Sequence, residues 1–199
     1  MPSMRIVRMS ELKTALWKNR GGVTREIADC RSRDELAWRL SMADVASDGP
    51  FSRFEGLTRI LTVIEGDGLE LIRADGSQEA LYGAPIRFDG ALSVESKLKN
   101  GPLRDLNLMF NPVLCDGDVA LIAGPWHQVL QAGPALTLAV FGLRGSSQIG
   151  DSTQLFTGDT VLLEEGLVQL DLAADAAALL ITIAWHGQTD ASRAFMAAR

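Results

Sequence analysis

The chain has 199 residues, 47% of them hydrophobic and 22% charged, a balance typical of a globular protein of one or two domains rather than a disordered one. The net charge of -6 disfavours nucleic acid as a partner, because binding to a phosphate backbone depends on clustered Lys and Arg. The sequence contains no signal-peptide core and no run of about 18 apolar residues, so we expect a cytoplasmic protein without a membrane partner.

The stretch 17–27 concentrates polar side chains around the pair Gly21-Gly22. Glycine lets the backbone take positive φ or approach another group closely. The alternation that follows predicts a strand with Thr24 and Glu26 on one face. A glycine turn before a polar-faced strand fits a binding pocket, and it fits equally a plain hairpin with a solvated edge strand.

Two later segments alternate between polar and apolar residues, as half-buried strands do. In the first, Arg39 lies opposite the apolar positions, and in the second Asp105 and Asn107 share a face. Between them, Arg59 begins a nearly continuous apolar run. Arginine in the mouth of a β-barrel favours an anionic ligand, because a guanidinium can hold a carboxylate by two parallel hydrogen bonds. For either arginine alone, a structural ion pair is the alternative.

Short strands separated by glycine turns recur along the chain, which favours a β-sandwich or barrel. A weak internal repeat aligns Gly83 with Gly158, an offset of 75 residues, and predicts two similar β modules. We expect a first module over residues 1–112 and a second, more degenerate module over 113–199. The tail, residues 190–199, is predicted to form a short helix.

Residues that support common enzyme mechanisms are scarce in this sequence. His127 and His186 are the only histidines, too few for the imidazole and carboxylate ligands of a metal-binding cupin. Cys30 and Cys115 lack the spacing of a zinc site or a disulfide framework. Since no nucleophile motif occurs either, we expect no metal, no cofactor and no motif-defined catalytic residue.

Four ordered blocks within residues 4–110 resemble the HutD/Ves family of bicupin proteins. The blocks are Trp17-Lys18-Asn19-x-Gly21-Gly22-x-Thr24-Arg25-Glu26-Ile27, Trp38-Arg39-Leu40-Ser41-x-Ala43-Asp44, Gly49-Pro50-Phe51-Ser52-x-Phe54-x-Gly56-x-x-Arg59 and Arg104-Asp105-Leu106-Asn107-Leu108-Met109. The resemblance implies an all-β bicupin, with two double-stranded β-helix modules and no metal-binding histidines. It also implies a small acid ligand of histidine utilisation, formylglutamate or urocanate, and a regulatory role; other members are associated with stress responses. Arg20 stands where the family has a third glycine.

These observations together predict a ligand pocket in the first module. Its candidate residues are Trp17, Asn19, Gly21, Gly22, Thr24, Glu26, Arg39, Phe51, Ser52, Arg59, Asp105 and Asn107. The leading hypothesis is a metal-free, non-enzymatic bicupin that binds a small carboxylate. The alternatives are a metal-independent isomerase or lyase with Glu26 or Asp105 as general base, and a protein-interaction module. Open sheet edges favour a homodimer.

Overall fold

The computed structural model describes residues 2–17, 21–187 and 193–197. In these ranges the chain forms strands and one 3-10 helix, Met9–Glu11, but no α-helix, so the predicted all-β class is confirmed. No described segment has the helical length and apolarity needed to cross a bilayer. The strands are β1 (Ser3–Val7), β2 (Thr14–Leu16), β3 (Gly22–Ser32), β4 (Glu35–Val45), β5 (Gly49–Pro50), β6 (Thr58–Glu65), β7 (Leu69–Arg73), β8 (Gly76–Ala80), β9 (Ile86–Asp89), β10 (Glu95–Leu98), β11 (Leu103–Phe110), β12 (Cys115–Ala123), β13 (Trp126–Ala132), β14 (Leu136–Arg144), β15 (Ser147–Ile149), β16 (Thr153–Leu155), β17 (Thr160–Leu172), β18 (Ala177–Trp185) and β19 (Arg193–Ala197).

The first of two compact units contains β2 to β11 and β19. Its seven-stranded antiparallel sheet has the order β19-β3-β4-β11-β6-β9, with β2 beside β3, and its four-stranded sheet has the order β5-β10-β7-β8. Leu61 and Val63 of the larger sheet and Leu69 and Leu71 of the smaller one belong to a single buried cluster. Burial of these aliphatic side chains therefore stabilises the packing of the two sheets against each other.

The second unit contains β1, the 3-10 helix and β12 to β18. Its eight strands include the path β12-β18-β14-β17-β15-β16, and β1 and β13 also pair with β17. Leu138, Val140, Leu163 and Leu170 are among the aliphatic side chains of its buried core. In this unit the side chains of β14 and of the first part of β17 therefore serve packing.

The terminal strands belong to other units than the sequence-based division into residues 1–112 and 113–199 predicts. The units divide after Leu12 and Leu114, because β1 pairs with β17 of the second unit. The predicted helix over 190–199 is wrong: its described part is β19, which pairs antiparallel with β3 of the first unit. Pairing with the β3 edge satisfies backbone N–H and C=O groups, and this tertiary gain overrides the local helix preference of an alanine-rich tail.

The glycine turn of the predicted repeat occurs in both units. Gly83 has φ of 71°, and its N–H donates to the Val63 carbonyl at 2.8 Å. Gly158 has φ of 87° and donates to the Gly142 carbonyl at 2.7 Å. Residues with a Cβ adopt this left-handed conformation at a cost, which explains the glycine at both turns. The segment from the end of β14 to Gly158 is shorter than the segment from the end of β6 to Gly83.

Candidate ligand-binding site

The first unit contains a cavity of about 580 Å³, within the range of small-molecule sites. Its lining residues are Leu16, Trp17, Thr24, Arg39, Ser41, Ala43, Pro50, Phe51, Ser52, Phe54, Arg59, Asp105, Asn107 and Met109. Eight of the twelve candidate residues lie among them: Trp17, Thr24, Arg39, Phe51, Ser52, Arg59, Asp105 and Asn107. The structure therefore brings most of the predicted pocket together.

Strand register explains how the polar residues of the cavity meet. On β4 and β11, Arg39 lies opposite Met109, and Asp105 lies opposite Ala43. On the other side of β11, Met109 pairs with Arg59 of β6. Because alternate side chains of a strand lie on the same face, Arg39, Asp105 and Arg59 line the cavity, while Leu40, Ile60 and Leu106 on the opposite faces pack in the core.

Trp17 and Thr24 form one wall of the cavity, and Gly22 packs behind Trp17. The Trp17 indole N–H donates to the Thr24 hydroxyl at 2.8 Å. A Cβ at Gly22 would lie 2.3 Å from the Asp44 carbonyl oxygen and 3.1 Å from the Trp17 ring. Gly22 therefore does not line the cavity, but its lack of a side chain permits the close approach that positions Trp17.

Three further candidates do not contribute to the described lining. Gly21 accepts a backbone hydrogen bond from Ala46 at 2.9 Å and is absent from the lining. Glu26 is exposed and also does not line the cavity. Glu26 pairs in regular register with the lining residue Ser41, so the alternation predicted its face correctly, but its position on that face is open to solvent. Asn19 lies outside the described residues.

Arg59 is a buried cation with an extensive set of contacts. It is 5% exposed, and its Nε and Nη2 donate to Asn107 Oδ1 at 3.3 and 3.0 Å. Its Nη1 donates to the Ser52 carbonyl at 3.2 Å. The guanidinium carbon lies 5.0–5.4 Å from the ring centres of Phe51, Phe54 and Phe88. Burial lowers the Arg59 pKa to about 10, so the group is charged at neutral pH.

Asp105 is the acidic end of the same hydrogen-bond chain. It is 1% exposed, and its Oδ1 accepts a hydrogen bond from Asn107 Nδ2 at 2.6 Å. Burial raises the pKa of this carboxyl to about 7, although the Arg59 charge and the Asn107 hydrogen bond act in the opposite direction. Asp105 therefore titrates near neutral pH.

Arg39 has fewer partners than Arg59. Its Nη2 lies 3.6 Å from the Met109 sulfur, a weak acceptor, and its guanidinium carbon lies 5.4 Å from the centre of the Phe54 ring. Its Nε is buried and has no hydrogen-bond partner among the described residues. Arg39 is thus a cavity cation whose Nε hydrogen bond is unmet among the described residues.

Asp44 organises an ion-pair cluster outside the cavity lining. It contacts Arg25 at 2.7 Å and Arg104 at 2.5 Å, and Arg104 also contacts Glu65 at 2.8 Å. Burial alone would raise the Asp44 pKa, but the hydrogen bonds from both arginines outweigh it and hold the pKa below 3.8. The charges of Arg25, Asp44 and Arg104 therefore have a structural role here.

No group of three or more His, Cys, Asp or Glu within the described ranges could hold a metal ion. His127 instead forms an exposed contact with Asp171, on the paired strands β13 and β17 of the second unit.

Six lining residues were absent from the sequence-based site. They are Leu16, Ser41, Ala43, Pro50, Phe54 and Met109. Period-two alternation from Arg39 and from Asp105 could have found Ser41, Ala43 and Met109. The sequence shows no strand alternation around Leu16, Pro50 and Phe54. Their place in the lining is therefore seen only in the folded structure.

Known proteins provide a further comparison for this cavity-bearing fold. An uncharacterised 21.2 kDa protein from the hutC 3′ region of Pseudomonas putida is 39% identical over 116 residues, or 56% of this chain. The matched part spans 60% of that relative's length. The solved structure of HutD from Pseudomonas fluorescens SBW25 is 28% identical and has a TM-score of 0.81, covering 93% of this chain and 100% of its own.

A conserved protein of unknown function from Pseudomonas aeruginosa PAO1 is equally similar. Its solved structure is 28% identical, with a TM-score of 0.82 and coverage of 93% and 100% of the two chains. Together with the antiparallel sheets of the two units, these similarities confirm the predicted all-β fold. The HutD family model matches residues 9–181, and the chain therefore belongs to the HutD family.

Proposed function

We propose that this protein is a non-enzymatic binder of a small carboxylate, which it holds in the cavity of the first unit. The observation that carries the proposal is Arg39, whose buried Nε has no partner among the described residues. Arg59 adds a second positive charge to the same cavity. Two guanidiniums and one carboxyl that titrates near pH 7 make the cavity suitable for an anion.

The relatives support a role in histidine utilisation. The Pseudomonas fluorescens structure is named HutD and was obtained in a formate condition, and the Pseudomonas putida relative lies beside hutC. Formate is the smallest carboxylate. We propose that the ligand is formylglutamate or urocanate, and that its binding serves a regulatory or accessory role.

The two arginines differ in what their removal would test. Arg59 contacts Asn107, the Ser52 carbonyl and aromatic rings, so its loss perturbs the fold together with the ligand site. Among the described residues, the Arg39 guanidinium has one hydrogen bond, to the Met109 sulfur, and one ring contact, with Phe54. Substitution of Arg39 therefore separates binding from stability better than substitution of Arg59.

Calorimetric titration with formylglutamate, urocanate and glutamate tests the proposal. Arg39→Gln should weaken the binding of the acid by about 2 to 3 kcal/mol, or roughly 30- to 150-fold, because hydrogen bonds between charged groups are lost. Arg73→Gln is the matched control, since Arg73 bonds only to Asp75 and Gln78 around the β7–β8 hairpin. Absence of heat with all three acids at millimolar concentration would refute the proposal, as would equal affinities of the two variants.

A second candidate is a metal-independent isomerase or lyase with Asp105 as general base. It is favoured by the burial of Asp105 in the cavity and by a pKa of about 7, near the pH at which such a base operates. Glu26, the other candidate base, does not line the cavity. Conversion of a pathway acid by the purified protein, lost in Asp105→Asn and kept in Glu26→Gln, would favour this function over simple binding.

A further inference from the structure

We infer that the cavity takes up a proton when it binds its acid, and that Asp105 is the group that receives the proton. The inference rests on the proposed carboxylate binding and concerns the control of that binding by pH.

The hydrogen-bond chain gives the physical connection. The Asn107 amide accepts from Arg59 through its oxygen at 3.0 Å and donates to Asp105 through its nitrogen at 2.6 Å. A single buried side chain therefore separates the cavity cation from the carboxyl. Since charges interact strongly where water is excluded, an anion placed beside Arg59 opposes ionisation of Asp105.

The charges around Asp105 come from neighbouring strands of the larger sheet. Arg59 on β6 and Arg39 on β4 line the cavity with it, and Thr24 contributes a neutral hydroxyl from β3. Asp44 on β4 lies outside the lining and disfavours ionisation of Asp105. Of the described lining residues, only the two arginines and Asp105 are ionisable.

Charge balance makes the direction of the effect clear. The two guanidiniums carry two positive charges, and a dianion such as formylglutamate balances them only when Asp105 is neutral. With Asp105 ionised, the same dianion leaves the buried cluster with excess negative charge, which a desolvated site disfavours. Burial already raises the Asp105 pKa to about 7, so a bound anion moves protonation into the neutral and mildly basic range.

Calorimetry with formylglutamate between pH 6 and 8.5 tests this coupling. The carboxylates of this probe stay ionised throughout, so protons taken up belong to the protein. Comparison of buffers with different ionisation enthalpies then counts the protons bound per ligand. We expect uptake approaching one proton at pH 8 and a Kd that rises about 10- to 30-fold between pH 6 and 8.5.

Asp105→Asn keeps the shape of the side chain but cannot ionise. We expect this variant to show no proton uptake and less than a twofold change in Kd over the same range. His127→Gln is the control for proton uptake outside the cavity, because His127 is exposed on the second unit, where it contacts Asp171. It should retain the pH dependence of the wild type.

The outcomes separate this inference from the function on which it rests. Binding with unchanged Kd and no proton uptake would overturn the inference and leave carboxylate binding intact. Loss of uptake in His127→Gln would also overturn it. Absence of binding at every pH would refute the proposed binding of formylglutamate and the inference together. If Asp105→Asn does not fold, proton uptake by the wild type and by His127→Gln decides.

Discussion

Replacement of Asp105 by asparagine should stabilise the protein more at pH 8 than at pH 5. Burial raises the Asp105 pKa from 3.8 to about 7. Because the folded-state pKa lies above the unfolded value, the stability contributed by the protonated group is complete below pH 4 and is lost as the pH rises through about 7. One pKa unit corresponds to about 1.4 kcal/mol, so the full effect is about 4 kcal/mol, of which about 2 to 3 kcal/mol develops between pH 5 and 8.

Urea denaturation at pH 5, 6, 7 and 8 measures this effect as a difference in the free energy of unfolding. The advantage of Asp105→Asn over the wild type should grow by about 2 to 3 kcal/mol across the series. Glu26→Gln, which changes an exposed carboxyl of the same unit, should show no such growth. A constant difference between Asp105→Asn and the wild type would refute the reasoning, since Asp105 would then titrate like a solvated carboxyl.

Four further predictions concern the cavity wall, the ion-pair cluster and assembly. Gly22→Ala should destabilise the protein by about 1 to 3 kcal/mol in denaturation experiments, whereas Gly133→Ala, whose Cβ meets open space, should not. Binding of the acid should change tryptophan fluorescence, and Trp17→Phe but not Trp126→Phe should remove that change. Asp44 has a lowered pKa, so the stability from its ion pairs is present above pH 3.8 and is lost as the pH falls through the pKa of the folded state. In Asp44→Asn, the free energy of unfolding should therefore fall less steeply as the solution is made acidic. Light scattering should give a mass about twice the 21.5 kDa of the chain, and a monomer mass would contradict the homodimer expected from open sheet edges.

The polar face of the cavity could be predicted because it follows local periodicity. Asp105 and Asn107 alternate with core residues along β11, and Arg39 does the same along β4. The register of a period-two strand fixes which side chains share a face. The sequence therefore predicted which polar residues share a face, and the fold brought those faces to one cavity.

The remaining features depend on contacts that local sequence does not encode. Glu26 follows the alternation of Thr24 and pairs with the lining residue Ser41, yet it is exposed and does not line the cavity. Phe54 contacts the arginines only once its loop has folded over the sheet. Strand β19 forms because the edge of β3, far away in sequence, offers it backbone hydrogen bonds. Non-local pairing of this kind overrides helix propensity, and a single sequence gives no signal for it.

The first strand, β1, belongs to the second unit and the last, β19, to the first, which limits where the gene can be divided. A cut between Leu114 and Cys115 would leave the first fragment with β1, whose partner β17 is on the other piece, and without β19, which pairs with β3. An uncovered β3 edge is a template for unwanted strand pairing, so such a fragment should aggregate. During synthesis, the sheet that bears the cavity is complete only after β19, the last described strand, has been made. Co-expression of the two halves, rather than expression of either alone, is the way to recover soluble pieces.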